Sequence, residues 1–390
     1  MVTKSKKQNK KKDPVLVVVQ LSGGNDFLNT VIPFTNGIYY DVRSYVGHKE
    51  EEVLPFTKDL AFHPNAESFR ELYKQGKMAI IQGIGYENSI RSHFRAMDIW
   101  HTCEPNTVAT EGWLAKVIRE LDPNSVNPLT AISFGKGLPR ALAAPGVMAT
   151  SVDNLDNYGL MTSIEDDVQR MANLDVFSRM YTPKDEWMGD RHESGVVMNY
   201  LANTGSGVLT GADMLKDVPR KYKSSVEYAD NSIAKALRDV VRVHTANLGT
   251  RIFYTQHGGY DHHAQEMPAH DRLMGELSQG ITDFLTDLEE HNASEEIVML
   301  VFTEFGRRMR DNGSGTDHGS GGGAFIIGNR VKGGLYSEYP SIEPSEWLNG
   351  EDLKHTFDYR GVYGTLLEQH MHLDPTEIVL GNYEQLNPFK

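Results

Sequence analysis

The chain has 390 residues, of which 39% are hydrophobic and 24% charged, a balance typical of a soluble protein with a packed core. It has 39 Lys and Arg against 53 Asp and Glu, and six of the lysines lie within the first twelve residues. The remainder is therefore strongly acidic, which argues against a nucleic-acid-binding surface, so we expect no nucleic acid as partner. No apolar run approaches the roughly 18 residues of a membrane-spanning helix, so we expect no membrane span.

The first thirteen residues form a basic segment, which we expect to be a disordered tail outside the folded domain. The apolar run that follows, at residues 15–19, is shorter than the roughly 7–15 residues of a signal peptide, and no twin arginine precedes it. Cys103 is the only cysteine, so an internal disulfide is excluded and an oxidising compartment is not required. These features predict a cytoplasmic location.

After this tail, short apolar runs alternate with longer amphipathic stretches. In chain order, we predict a strand at Val15–Leu21, a helix at Ser68–Lys74, strands at Met78–Gln82, Leu129–Phe134 and Arg251–Gln256, helices at Ser225–Ala246 and His270–His291, strands at Ile297–Phe302 and Ala324–Ile327, and a helix at Phe357–His370. The first strand is apolar throughout, as expected for a strand buried on both faces of a parallel sheet. The alternation predicts an α/β sandwich with a mostly parallel central sheet.

Residues 151–224 differ from the rest of the chain because they are polar, rich in Asp, Asn and Met, and without strand-like runs. We predict a mostly helical insertion or cap at this position. Residues 14–390 are otherwise predicted to form a single domain.

Polar clusters follow four of the predicted strands and precede a fifth. They lie at residues 22–26, 88–94, 257–263 and 303–308, and at residues 315–319 before the last strand. In open α/β sheets, ligands bind just beyond the carboxyl ends of the strands. Each cluster alone could be a turn or a helix cap, and no Walker or dinucleotide-binding motif is present. Together the clusters predict a functional site.

The residue types in these clusters favour a divalent metal ion. Asp261, His263 and His318 would supply one carboxylate and two imidazoles, which suits zinc first and manganese, magnesium or calcium as alternatives. Asp26 and Glu304 would add carboxylates for the same ion or for a second one. Three further residues are predicted to contact the ligands: His257, His262 and Asp317.

A serine beside a metal ion can act as a nucleophile near neutral pH, and two serines flank Arg91. We predict Ser92 as the nucleophile, with Ser89 as the alternative. The assisting residues are predicted to be Arg91 and His93 in catalysis, and Asn25 and Arg307 in substrate binding. Guanidinium groups bind the oxygens of phosphate or sulfate well, so the predicted reaction is hydrolysis of phosphate or sulfate esters.

Six motifs, in order, support this interpretation: Leu21–Asp26, Arg91–Phe94, Gly112–Leu114, Gly259–His263, Thr303–Arg307 and Gly315–Gly319. They resemble the motifs of the bacterial family called domain of unknown function 1501, which in turn resembles the alkaline phosphatase and sulfatase superfamily. The resemblance covers about residues 14–388. It implies a three-layer α/β/α sandwich with a metal-dependent site and a small-molecule or polymer ester as substrate.

The resemblance also implies individual roles. Asp26 matches the metal-binding aspartate after the first strand of the superfamily, and Ser92 lies where its nucleophile is expected. Ser89 instead resembles the nucleophile segment of the phosphoglycerate mutase relatives. Asp261 and His263 look like the superfamily's Asp-x-x-x-His metal pair with shorter spacing, and His318 looks like its final metal histidine.

One position departs from the superfamily pattern. An Asp-His pair is expected after the strand that ends near Thr303, but this chain has Glu304 and Phe305, so one imidazole is missing. The departure leaves open a one-metal or degenerate site, and therefore a non-catalytic binding or envelope-assembly protein. Family members commonly look exported by the twin-arginine route, which keeps a periplasmic location as the alternative.

Overall fold

The computed structural model describes residues 12–158, 166–181, 205 and 207–390. Strands and helices alternate along these residues, as predicted. All but the last two residues of the predicted basic tail lie outside the described residues. So do residues 159–165, 182–204 and 206, which belong to the predicted insertion, and the division into domain and insertion stays a prediction.

Fourteen strands lie within the described residues. In chain order they are β1 Val15–Ser22, β2 Val31–Ile32, β3 Leu54–Pro55, β4 Ala61–Phe62, β5 Met78–Gly85, β6 Ala131–Phe134, β7 Thr150–Val152, β8 Ile252–Gly258, β9 Ile297–Thr303, β10 Arg307–Asp311, β11 Thr316–His318, β12 Gly322–Ile327, β13 Gly334–Tyr336 and β14 Phe357–Asp358.

The main sheet has the strand order β13-β5-β12-β9-β1-β8-β6-β7, and β14 also pairs with β5. All neighbouring strands are parallel except around β12, which runs antiparallel to both β5 and β9. Two small antiparallel sheets, β10-β11 and β2-β4-β3, lie apart from the main sheet. The predicted mostly parallel sheet is confirmed.

The helices connect these strands. They are α1 Phe27–Thr30, α2 Gly37–Val42, α3 Glu67–Lys74, α4 His93–Thr102, α5 Trp113–Leu121, α6 Asp167–Tyr181, α7 Val218–Lys221, α8 Ser232–Thr245, α9 Glu266–Glu290, α10 Tyr359–Thr365 and α11 Thr376–Val379. Residues 207–215 are also helical, apart from these. No helix of the described residues is both long enough and apolar enough to cross a membrane.

Helices cover both faces of the main sheet, which gives the α/β/α layering. Side chains alternate between the faces along a strand, and β1 shows this directly. Val17 and Val19 belong to one hydrophobic cluster, with residues of α3, α8 and α9. Leu16 and Val18 belong to another, with residues of α4, α5 and α10. The strands therefore separate two cores, and β1 is buried on both sides as its apolar sequence predicted.

Several predicted boundaries differ from the structure. The helix predicted from Ser225 begins only at Ser232, because the Asn231 side chain accepts a 2.9 Å hydrogen bond from the Ala234 backbone and caps it. The helix predicted over residues 357–370 is interrupted, since α10 continues as a π-helical segment at Leu366–Met371. The edge strand β7 occupies the start of the predicted insertion.

Candidate metal centre

The candidate site lies at the carboxyl ends of three adjacent strands. In the β1-β8 ladder Ser22 pairs with Gly258, and in the β1-β9 ladder Leu21 pairs with Thr303. The loops that leave these strands therefore start side by side, as the sequence predicts. They approach so closely that a Cβ at Gly23, whose φ is +122°, would lie 2.4 Å from the Asp261 backbone nitrogen.

Three imidazoles converge above these strand ends. The Nε2 atom of His318 lies 3.0 Å from Nε2 of His93 and 2.9 Å from Nε2 of His263. The Oδ1 atom of Asp261 lies 3.0 Å from the same His318 nitrogen and 3.1 Å from that of His263. Nitrogen ligands of a tetrahedral zinc ion, at about 2.0–2.1 Å from the metal, stand roughly 3.3 Å apart. His93, Asp261 and His318 thus have the spacing of a metal-ligand set, and His263 contacts two of them.

The other ring nitrogen of each histidine fixes its tautomer. His93 Nδ1 lies 2.9 Å from a Glu304 carboxylate oxygen, His318 Nδ1 lies 2.8 Å from the Arg91 carbonyl, and His263 Nδ1 lies 3.0 Å from Asp317. All three partners accept hydrogen bonds, so the Nδ1 atoms carry the protons. The three Nε2 atoms then present lone pairs to one another and to a carboxylate, an arrangement that a central cation stabilises.

Asp261 is held in its ionised form. Its side chain is partly buried, which raises the carboxyl pKa, but the hydrogen bond from Arg307 and the adjacent His318 ring outweigh this effect and hold the pKa below its usual range. The hydrogen bond to the Glu304 carboxylate raises the pKa of His93. The centre therefore collects negative charge and lone-pair donors, and it attracts a cation.

Two carboxylates orient the histidines from behind. Glu304 is buried, and its Oε1 atom accepts from the Gly23 backbone at 2.9 Å as well as from His93. Asp317 holds His263 in the same way, and that hydrogen bond lowers the pKa of Asp317. Such carboxylate–histidine pairs are typical of metal sites. Asp317, predicted to contact a ligand, thus lies against His263, and Glu304, predicted as a ligand, lies against His93.

His93 places an imidazole beside position 305, where the sequence pattern lacks one. Phe305 is buried, and its ring lies 5.0 Å from those of both His93 and His318, between centroids. We predicted a catalytic role for His93 and did not assign it to the metal. The signal available was its place in one of the polar clusters at the strand ends.

Asp26 lies away from this centre, in a buried ion pair. Two Arg43 nitrogens lie 2.9 and 3.0 Å from its two carboxylate oxygens, and neither side chain is appreciably exposed. The neighbouring Glu266 has its pKa raised well above the usual range by burial and by the charge of Asp26. Within the described residues, Asp26 is thus occupied by Arg43 and is not part of the group that could hold a metal.

The two residues predicted to bind substrate are buried and form hydrogen bonds within the protein. Arg307 is buried and donates to four backbone carbonyls and to Asp261. It therefore holds the strand-end loops together. Asn25 is also buried, and it bonds to Thr30 and His270. Neither side chain reaches the cavity beside the metal centre.

Arg91 and the two candidate nucleophiles lie on the segment before α4. Arg91 donates two hydrogen bonds, of 3.0 and 2.7 Å, to the buried Asp352. Ser92 is the exposed N-cap residue of α4, and its side chain makes no capping hydrogen bond. Ser89 bonds to Tyr86. Neither serine belongs to the lining of the adjacent cavity within the described residues.

The histidines on either side of Asp261 have different surroundings. His257 is buried and bonds to Tyr260 at 2.9 Å and to Glu276 at 3.2 Å, away from the ligand atoms. His262 is also buried, and burial lowers its pKa. The structure therefore does not bring these two predicted residues into contact with the ligand atoms.

An open cavity of about 750 Å³ adjoins the metal centre. Its lining includes His93, Asp261 and Glu304 on one side and the exposed Phe94 on another. Arg140 also lines it. A cavity of this size accommodates a small molecule or one unit of a polymer.

A second group of metal-binding residue types, His48, His63 and Asp271, lies in the interior. The Asn65 backbone donates to His63 Nδ1 at 3.0 Å, so that nitrogen is an acceptor and the proton is on Nε2. The protonated Nε2 atom of His63 lies 3.0 Å from a carboxylate oxygen of Asp271. A proton on Nε2 leaves this atom no lone pair for a metal ion.

The fold and the site together define an α/β/α sandwich protein with a histidine-rich candidate metal centre at the carboxyl edge of its sheet. A family model described as a protein of unknown function (DUF1501) matches residues 163–378. The chain belongs to this family, as the motifs predicted. A search of curated proteins finds no match.

Several solved structures resemble this one. A protein in the alkaline phosphatase superfamily from Vibrio parahaemolyticus is 10% identical over 98% of this chain and 72% of its own, with a TM-score of 0.45. A sulfatase from Pseudoalteromonas sp. is 11% identical over 96% of this chain and 71% of its own, at 0.42. A phosphonate monoester hydrolase of Agrobacterium radiobacter is 11% identical over 96% and 79%, at 0.34.

Proposed function

We propose that this protein is a metal-dependent hydrolase of phosphate or sulfate esters, acting on a small molecule or a polymer. The observation that carries the proposal is the grouping of His93, Asp261 and His318 as possible ligands of one ion, with His263 in contact with both Asp261 and His318. The adjoining cavity gives a substrate access to this centre.

Zinc suits the ligand set best. Imidazole is a favoured ligand of zinc, whereas magnesium and calcium prefer a coordination shell made of oxygen atoms, and manganese is intermediate. The four groups would hold one ion. A second ion would need further carboxylates, and the predicted candidates Asp26 and Glu304 are engaged by Arg43 and His93.

A bound ion would stabilise negative charge on an attacking or leaving oxygen. Ser92 precedes His93 directly and stays our candidate nucleophile, with Ser89 three residues earlier as the alternative. Attack by the serine oxygen on phosphorus or sulfur would release the alcohol, and water would then free the enzyme. Within the described residues, the exposed Ser92 side chain makes no hydrogen bond that would have to break before it attacks a substrate.

Metal content is the first test. The native chain and the Asp261→Ala variant are purified without chelator and analysed by elemental mass spectrometry, with the exposed Asp59→Ala as a matched control. We expect one zinc per chain in the native protein and the control, and loss of zinc from Asp261→Ala. Absence of any stoichiometric ion, together with no thermal shift on adding zinc, manganese, magnesium or calcium, would refute the metal centre.

Turnover is the second test. The zinc-loaded protein is assayed against aryl phosphate and aryl sulfate esters, beside Ser92→Ala and Ser89→Ala. We expect one of the two variants to lose turnover while it keeps its zinc. Undiminished turnover in both variants would rule out the serine mechanism and would leave a metal-bound water as the nucleophile.

A non-catalytic member that binds a ligand or takes part in an envelope assembly is the second candidate. Two observations favour it: Asp26 is neutralised by Arg43, and neither Ser92 nor Ser89 lines the cavity within the described residues. This candidate predicts metal binding without turnover on any ester, and unchanged ligand binding in both serine variants.

A further inference from the structure

A hydrogen-bonded chain forms part of the cavity wall beside the metal centre. Gln20 is buried near the end of β1, and its Nε2 atom donates to the Ser22 hydroxyl oxygen at 2.8 Å. Its other amide atom, Oε1, accepts from the Tyr254 hydroxyl and lies 3.0 Å from Nε2 of His101. Ser22, Gln20 and His101 all line the cavity.

The hydrogen bonds among Tyr254, Gln20 and Ser22 fix the direction of the Ser22 hydroxyl. Since Tyr254 donates to the amide oxygen of Gln20, the amide nitrogen of Gln20 faces Ser22 and donates to it. Ser22 therefore receives a hydrogen bond through its oxygen, and its own proton has no acceptor within the described residues. A half-buried hydroxyl held in this way offers its proton to a ligand in the cavity.

The position of Ser22 relates it to the metal centre. It precedes Gly23, whose backbone donates to Glu304, and Glu304 in turn holds His93. Gly23 also lies against the backbone of Asp261. Ser22 is thus the cavity-lining hydroxyl next to the strand-end loops that carry the ligands.

Other donors near this point are already engaged. The Gly23 backbone proton goes to Glu304. Arg95 donates to Asp98 and to three backbone carbonyls, and Arg140 forms an ion pair with Asp98 and donates to the Ala109 carbonyl. An anion that enters the cavity therefore meets the Ser22 proton without displacing an internal contact.

We infer that Ser22 is a ligand-binding residue whose hydroxyl donates to an oxygen of a tetrahedral oxyanion, phosphate or sulfate, and that Gln20 is the positioning residue which aims it. The inference rests on the proposed function for the class of ligand. It adds a recognition element that is independent of which serine acts as nucleophile.

Binding of inorganic phosphate to the zinc-loaded protein, measured by isothermal titration calorimetry, tests the role of Ser22. A hydrogen bond to a charged group predicts roughly 10–100-fold weaker binding in Ser22→Ala. Ser22→Thr, which keeps the hydroxyl, should restore most of the affinity. The exposed Ser345→Ala is the matched control and should bind phosphate as the native chain does.

Equal phosphate affinity in Ser22→Ala and the native chain would overturn the inference even if esters are hydrolysed. A loss in Ser22→Ala that Ser22→Thr rescues would support it even if no ester is turned over. The two proposals therefore fail separately.

The positioning role of Gln20 is tested with Gln20→Met. Tyr254→Phe is a milder change, which removes only the hydroxyl that donates to Gln20. Both keep the Ser22 hydroxyl but release its direction, so we expect several-fold weaker phosphate binding with unchanged zinc content. On a hydrolysed ester, the same variants should raise KM more than they lower kcat. Native phosphate affinity in Tyr254→Phe and in any folded Gln20→Met would refute this role.

Discussion

Replacing Asp26 with Asn distinguishes its two possible roles, metal ligand and partner of a buried arginine. The substitution keeps the shape of the side chain and removes its charge. In the structure this leaves the guanidinium of Arg43, which is fully buried, without the carboxylate that now contacts it at 2.9 and 3.0 Å. Losing one partner of a buried ion pair costs about 3–5 kcal/mol of unfolding free energy.

Glu266 reduces this cost. Burial and the negative charge of Asp26 raise the pKa of Glu266, which favours its neutral form in the native protein. Once Asp26 is neutral, the charge of Arg43 favours ionisation of Glu266, which can then compensate the guanidinium. We therefore expect Asp26→Asn to cost about 3 kcal/mol, and the double variant with Glu266→Gln to cost about 5 kcal/mol.

The assay is urea unfolding of the metal-free protein at pH 8, followed by circular dichroism, with the exposed Asp59→Asn as control. Zinc content is measured on the same samples before chelation, and we expect it to stay at the native level in Asp26→Asn. Native stability of metal-free Asp26→Asn, combined with loss of an ion, would show that Asp26 is a ligand and that our reasoning is wrong.

Three further predictions concern the metal centre and the core. Glu304→Gln should weaken zinc binding about 10–100-fold in competition with a chromophoric chelator, because the neutral amide supports the imidazole in front of it less well; native affinity would contradict this. Acidification from pH 6.5 toward pH 4 should destabilise the fold, because burial lowers the pKa of His48 and His370 to about 4 and that of His101 to about 3. Near pH 6 only the unfolded chain takes up protons at these histidines. Each histidine therefore lowers the free energy of unfolding by about 3 kcal/mol as the pH falls to 4. A constant urea midpoint down to pH 4 would refute this pH dependence. Gly23→Ala should cost at least about 2 kcal/mol and lower the zinc content, since its Cβ would overlap the Asp261 backbone at a positive φ; a native thermal midpoint would exclude this close approach.

The fold was largely predictable because the amino-acid composition of its main strands shows that they are buried. Val15–Ser22 and Ile297–Thr303 are apolar at every position but the polar residues near their ends, and both are buried on two faces. The start of one helix depends on a capping side chain, which the hydrophobic pattern does not reveal. The side chain of Asn231 caps the start of α8, seven residues after the predicted beginning.

The site was predictable only in its general position. Asp261, His263 and His318 meet because the strand order brings their loops to one edge. The role of His93 depends on the hydrogen bond between its Nδ1 atom and Glu304, a partner 211 residues away, and no local pattern contains that distance. Arg43 likewise carries no motif, yet it decides that Asp26 is neutralised.

The reversed direction of β12 affects how the site can change. Because β12 is antiparallel to β9, the start of β12 lies at the same end of the sheet as the carboxyl end of β9. The whole connection between them, residues 304–321, therefore remains at that end of the sheet. That connection carries Glu304 at its start and His318 near its end, with the β10-β11 hairpin between them. Its middle can lengthen or shorten without altering the order of the strands. The surface beside the candidate metal centre can therefore change while the scaffold beneath stays constant.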